Sequence, residues 1–188
     1  KQAKLRYSQA VLEDVDYRSS RGLDRFQLQT LATCEWMRQR QNLILTGATG
    51  TGKSWLACAF GQQACRLGIA TYYTTATRLF EELSICRTDG TLAKKRRQLS
   101  KLPLLIIDDL GIGGIDPQIG PILLEIFDQQ SQEGALIITS QYPPEKWYDL
   151  FGDPTIADAI LDRVVHRSHS INLKGESMRK VREKKEEK

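Results

Sequence analysis

The chain has 188 residues, 40% of them hydrophobic, and a formal net charge of +4. That suits one globular core with short tails, and no run of about 18 apolar residues is present to make a membrane helix. The N-terminus carries neither a methionine nor the apolar stretch of a secretion signal, so the chain is expected to begin inside a longer protein and to reside in the cytoplasm.

In chain order, residues 1–25 are polar and mixed in charge, an irregular lead-in. Positions 23–40 place Phe26, Leu28, Leu31, Ala32 and Trp36 at helical spacing. Leu43-Ile44-Leu45 is a short buried strand. A glycine-rich loop follows, then a helix over 53–67 in which Leu56, Ala57, Phe60, Ala64 and Leu67 share a face and Gly68 supplies the C-cap. Residues 70–74 are a second strand. Residues 76–86 are a helix with Leu79, Phe80 and Leu83 turned inward. Asp89-Gly90 marks a turn, and 91–101 is a short basic helix. The third strand, 102–107, is apolar throughout, as parallel strands covered on both faces are. A glycine-rich loop at 111–117 leads to a helix over 119–132 with Ile122, Leu123, Ile126 and Phe127 facing in. Leu136-Ile137-Ile138 is a fourth strand. Helices near 145–150 and 155–165 precede a last strand at Ile171-Asn172-Leu173, and 174–188 is a charged tail. Strands alternating with helices predict a parallel α/β sheet in three layers. The expected organisation is a lead-in linker at 1–25, one domain at 26–175 and a tail at 176–188.

Four cysteines, Cys34, Cys58, Cys65 and Cys86, include no CxxC pair and are read as reduced thiols. His166 and His169 lack the further ligands that a metal site needs.

Three stretches carry chemistry. Gly47-Ala48-Thr49-Gly50-Thr51-Gly52-Lys53-Ser54 fits the GxxxxGK[ST] phosphate-loop pattern and lies in the required context, between an apolar strand and an amphipathic helix. Gly50 and Gly52 lack a Cβ, so backbone N–H groups can turn toward phosphates, and the helix opening at Lys53 adds its positive end. Lys53 is placed to reach the β- and γ-phosphates of ATP, and the Ser54 hydroxyl to bind Mg²⁺. In Leu104-Leu105-Ile106-Ile107-Asp108-Asp109, a buried strand delivers carboxylates at its C-terminal end, where open α/β sheets bind ligands. Asp108 is expected to hold Mg²⁺ and Asp109 to polarise the attacking water. The strand at 136–141 ends in Thr139, Ser140 and Gln141. These either touch the γ-phosphate and water or form a plain polar exit from the sheet. Hydrolysis also calls for cations on the developing charge, and Arg163 and Arg179 are candidates.

Residues 87–101 hold six basic side chains, Arg87, Lys94, Lys95, Arg96, Arg97 and Lys101, against one acid, Asp89. Such a patch is either the footprint of a nucleic-acid site or a solvated helix face.

These motifs, in this order, resemble the AAA+ ATPases and more narrowly the IstB-like ATP-binding proteins, helpers of insertion-sequence transposition. The narrower resemblance rests on Gly22-Leu23-Asp24-Arg25, Ala32-Thr33-Cys34, Ile107-Asp108-Asp109-Leu110-Gly111, Ile137-Ile138-Thr139-Ser140-Gln141, the stretch from Gly152 through Pro154 and Asp158 to Arg163, and Leu173-Lys174-Gly175-Glu176-Ser177-Met178-Arg179. It covers nearly the whole chain from Leu12 to Lys180. It implies a P-loop NTPase of AAA+ type that binds ATP or ADP with Mg²⁺, hydrolyses ATP, assembles into homo-oligomers, binds DNA and works with a transposase. By the same resemblance Arg163 is the arginine finger given in trans, Arg179 the cis sensor arginine, and Ser140 and Gln141 the polar sensor. Arg78, Lys94, Lys95, Arg96 and Arg97 are the implied DNA contacts. Helicase loaders of the DnaC type share the architecture and are the alternative. AAA+ proteins at large end the acidic strand in Asp-Glu. Here Asp109 is one methylene shorter, which implies slower hydrolysis. The stretch 128–132 also lacks the basic residue common before the fourth strand in this branch.

Overall fold

The computed structural model describes residues 3–17 and 21–178. Its frame is five strands, β1 (Asn42–Gly47), β2 (Thr71–Thr75), β3 (Leu104–Leu110), β4 (Ala135–Ser140) and β5 (Ser168–Leu173). They pair in the order β2-β3-β4-β1-β5, and every pairing is parallel. Parallel neighbours require crossovers, and the helices that make them cover both faces. The predicted α/β class and three layers hold.

The apolar runs divide between the two faces with the period of a strand. Ile44, Leu105, Ile107, Leu136 and Ile138 enter one core, with α4 (Ala76–Thr88), α5 (Leu92–Ser100), α6 (Gly120–Glu133) and α7 (Pro154–Val165). Leu43, Leu45, Leu104, Ile106 and Ile137 enter the other, under α1 (Arg25–Ala32), α2 (Glu35–Arg38) and α3 (Lys53–Arg66). A strand buried on both sides has no polar face, which is why periodicity alone marks only its presence. Asn42 crosses this divide: its buried amide donates to the Val164 carbonyl at 3.0 Å and accepts the Leu136 N–H at 3.0 Å, tying β1 to α7 and β4.

The boundaries differ from expectation where backbone geometry overrides periodicity. The helix expected over 23–40 is two, because Cys34 takes a left-handed φ of 57° between α1 and α2. The turn there is fixed by the buried Trp36 indole, which donates to the Leu31 carbonyl at 3.0 Å. The segment at 145–150 is a 3-10 helix, Pro144–Leu150, rather than an α-helix. β3 runs on past Ile107 and carries both acids within it.

The described residues of the lead-in are irregular up to Asp24 apart from one 3-10 turn at Leu12–Asp14, but they are packed on the domain. Ala10 is buried against Cys58 and Ala59 of α3, with Leu5, Tyr7, Trp55 and Tyr73 around them. Burial pushes the thiols of Cys34 and Cys58 up to about 11, so both are protonated near neutral pH and behave as small apolar groups. Among the described residues no helix is long and apolar enough to cross a membrane.

Candidate nucleotide site

β1 ends at Gly47 and α3 begins at Lys53, and the loop between them is built from backbone that side chains disfavour. Gly50 and Gly52 have φ of +85° and +99°, conformations open to glycine at little cost. Thr51 is buried and its hydroxyl donates to the Ala48 carbonyl at 2.8 Å, closing the loop on itself. Gly47 serves a different purpose: a Cβ there would lie 2.2 Å from the Leu173 carbonyl oxygen of β5. The first glycine is therefore a requirement of strand packing.

The Lys53 ammonium turns back into the loop and donates to the carbonyls of Gly47 at 2.8 Å and Ala48 at 3.0 Å. Burial lowers its pKa, while Asp109 and Asp108 act in the opposite direction. It is a desolvated cation held over backbone oxygens, positioned to exchange them for phosphate oxygens.

A cleft of ≈ 360 Å³ opens from this loop, lined by Thr49, Gly50, Gly52, Lys53 and Ser54 together with Asp109 and Gln141. Asp108 is fully buried beside the cleft. Its Oδ2 accepts the Tyr73 hydroxyl at 2.7 Å and its Oδ1 the Thr139 hydroxyl at 2.6 Å, with the Arg6 guanidinium 3.9 Å from Oδ2. The hydrogen bond to Asp108 and burial both push the Tyr73 phenol far up, burial more, so it remains a donor.

Ser140 is not on the cleft wall. Its buried hydroxyl donates to the Leu110 carbonyl at 2.8 Å and accepts the Tyr142 N–H at 3.1 Å, which fixes the exit from β4. Of the expected polar pair only Gln141 reaches the cleft. Arg163, on α7, pairs with Asp128 of α6 at 2.7 Å and lies 3.6 Å from Asp162, and it does not line this cleft. Asp128 is thus the acid that stands in the stretch without a basic residue. Arg179 lies outside the described residues, but its neighbours approach the loop: the Met178 N–H donates to the Gly50 carbonyl at 2.8 Å, and Ser177 packs against Gly50 so closely that a Cβ there would meet its hydroxyl.

The basic patch is only partly available. Lys95 pairs with Glu82 at 2.6 Å and lies over the Tyr72 ring, Arg78 pairs with the same Glu82 at 3.0 Å, and Arg96 pairs with Glu125. The Lys95 and Arg96 pairs tie α5 to α4 and α6. Lys94 and Arg97 are exposed and, among the described residues, make no ion pair.

Sequence reasoning missed one wall of the cleft. Arg6, Tyr7, Asp14, Asp16 and Arg21 of the lead-in line it, with Trp55 from α3. Arg21 is buried, donates to the Asp16 carbonyl at 2.9 Å, and lies over Gly52, where a Cβ would be 3.2 Å from its Nη1. The lead-in has no periodicity, so no local signal marks these residues; only the fold brings them to the loop.

The residues present fit a nucleoside triphosphate and a hard divalent cation. The loop offers a cradle that three Cβ atoms would disturb, and Ser54, Asp108 and Asp109 are oxygen donors of the type Mg²⁺ selects. Strand order, loop and acid-bearing strand end together define a P-loop nucleotide-binding protein of AAA+ architecture. Solved structures agree on the fold. DnaI matches with a TM-score of 0.76 at 22% identity, covering 88% of this chain and 92% of that one. AMPPCP-bound DnaA from Aquifex aeolicus matches with a TM-score of 0.72 at 20% identity, covering 96% of this chain and 55% of that one. The model of the IstB-like ATP binding protein family matches residues 1–186, and the chain belongs to that family. An insertion-sequence ATP-binding protein of Sinorhizobium fredii is 47% identical over 97% of this chain and 74% of its own length. The ATP-binding protein of insertion sequence IS21 from Pseudomonas aeruginosa is 32% identical over 95% of this chain and 67% of its own.

Proposed function

We propose that this protein is an Mg²⁺-dependent ATPase that binds DNA as a homo-oligomer and assists a transposase in the cytoplasm. The observation that carries the reading is the convergence of Lys53, Ser54, Asp109 and Gln141 on one cleft in a chain related to insertion-sequence ATP-binding proteins. Lys53 and the loop N–H groups hold the phosphates, and Arg179, next in the chain after Met178, joins them. Ser54 and Asp108 hold Mg²⁺, which when bound neutralises charge on the β- and γ-phosphates. Asp109 accepts a proton from the attacking water, and Gln141 orients that water by hydrogen bonding. Arg163 stabilises the γ-phosphate of a neighbouring subunit.

DNA contact is assigned to the exposed part of the α5 patch. Lys94 and Arg97 meet phosphates directly, whereas Lys95, Arg96 and Arg78 do so only on leaving Glu82 and Glu125. Binding to duplex DNA is expected to require ATP and to weaken steeply with salt, the log–log slope being about −0.9 per phosphate neutralised. Fluorescence anisotropy with ATP, with ADP and without nucleotide over a salt series checks this. Affinity that is flat with salt would count against phosphate contacts by this patch, and affinity indifferent to nucleotide would count against ATP control of DNA binding.

A helicase-loader role is the second reading, suggested by the fold shared with the DnaC helicase loader. Co-purification with the transposase of the same insertion sequence, tested against a replicative helicase, separates the two.

The arginine has its own test. Arg163→Ala is expected to bind ATP normally and to lose about 10³-fold or more in turnover. Adding Lys53→Ala protein, which lacks the loop lysine but keeps Arg163, should restore part of the rate. No recovery at any mixing ratio assigns Arg163 to the Asp128 pair alone.

A further inference from the structure

Between Ile107, opposite Ile138, and Leu110, opposite Ser140, the β3–β4 ladder shifts register, so Asp108 and Asp109 together face the single residue Thr139. This is a β-bulge, a device that bends a strand and re-aims a side chain. Asp109 takes φ of 60°, which non-glycine residues rarely adopt and which persists only when the surroundings hold it. What holds it is visible: the Asp109 N–H, displaced from the ladder, donates to the Thr139 hydroxyl at 2.8 Å. The same hydroxyl spends its one proton on Asp108 Oδ1 at 2.6 Å. Thr139 is fully buried, and one hydroxyl oxygen therefore joins the backbone of one acid to the carboxylate of the other.

Resting on the ATPase reading above, we propose that Thr139 is the positioning residue for the tandem acids, setting the aim of Asp109 and the orientation of Asp108 at once. The chemistry requires a group that donates and accepts through a single atom. Serine keeps it. Valine, nearly the same in shape, removes both bonds and leaves a buried N–H without an acceptor. Tyr73 bonds to Asp108, whereas the Thr139 hydroxyl bonds to both acids at once.

The test compares Thr139→Val and Thr139→Ser with the unaltered protein in three measurements: binding of a fluorescent ATP analogue in EDTA, the Mg²⁺ concentration that half-saturates its tighter binding, and steady-state ATP turnover. In Thr139→Val the metal-free affinity should stay within about twofold, the half-saturating Mg²⁺ should rise, and kcat should fall about 10- to 100-fold with little change in KM. Thr139→Ser should restore all three. A Thr139→Val protein whose kcat and Mg²⁺ response match the unaltered one overturns the inference. So does one that loses metal-free binding and melting temperature together and is not rescued by serine, since that describes a purely structural hydroxyl. If the unaltered protein neither binds nor turns over ATP, the ATPase reading fails and takes the inference with it.

Discussion

Replacing Lys53 with alanine is expected to cut most of the response to ATP while leaving the fold intact. In the structure the ammonium is buried and bonded to two loop carbonyls, and burial lowers its pKa. Taking this cation out of the loop relieves a desolvation cost, so the apo variant should melt close to the unaltered protein. What is lost is the charge-assisted bond to phosphate, about 1.5–3 kcal/mol, or roughly 10- to 100-fold in affinity. The measurement is thermal unfolding with and without ATP. At a ligand concentration of about 100 times Kd, the unaltered protein gains roughly 2.7 kcal/mol. For a domain of this size that is about 5–10 °C. At the same ATP concentration Lys53→Ala, with affinity down roughly 10- to 100-fold, should keep only about 0.4–1.4 kcal/mol of it. A variant that still gains the full shift would place the phosphates elsewhere in the cleft.

Gly47→Ala is expected to damage the fold itself. A methyl at Gly47 would lie 2.2 Å from the Leu173 carbonyl oxygen and 3.1 Å from the Thr51 hydroxyl, at φ of +142°. Gly47 and Leu173 are register partners in the β1–β5 ladder, so the obstacle is backbone that cannot rotate away. The two strands must part or the loop must shift, at a cost of about 3 kcal/mol or more. That corresponds to a loss of roughly 6–12 °C in melting temperature. Gly113→Ala is the contrast: it also has positive φ, +84°, but nothing stands within 4 Å of the added methyl. It should cost only about 1 kcal/mol, from the conformation alone. Equal losses at the two sites, measured by denaturant unfolding, would mean that the β5 contact is not the reason for glycine at 47.

The phosphate loop is legible because everything it needs is consecutive. Eight residues supply the turns, the cation and the hydroxyl, and the strand and helix around them announce themselves by hydrophobic pattern. Gly50 and Gly52 take the positive φ that glycine adopts at little cost. The reason for Gly47 was not legible, since it depends on Leu173, which joins it only through the β1–β5 pairing. The same holds at the acids. The strand ending in Asp108-Asp109 is plain in the sequence, but the bulge that aims Asp109 arises from register against β4. Ser140 is the last residue of β4 and Gln141 lies in the bend just beyond it, where the chain turns toward the cleft, and only Gln141 meets it.

Sequence alone thus determined the alternation of strands and helices, the phosphate loop and the acid-bearing strand end, because each is written in residues a few positions apart. The tertiary structure decided which of them meet. It folded the lead-in over α3 so that Arg6, Tyr7 and Arg21 wall the cleft, and it set Thr139 against both acids. It also spent Lys95, Arg96 and Arg163 on Glu82, Glu125 and Asp128, pairings that a count of charges along the chain does not register. The physical reason is range: hydrophobic periodicity and turn chemistry act over a few residues, whereas a hydrogen bond or ion pair forms wherever topology brings its two ends within reach.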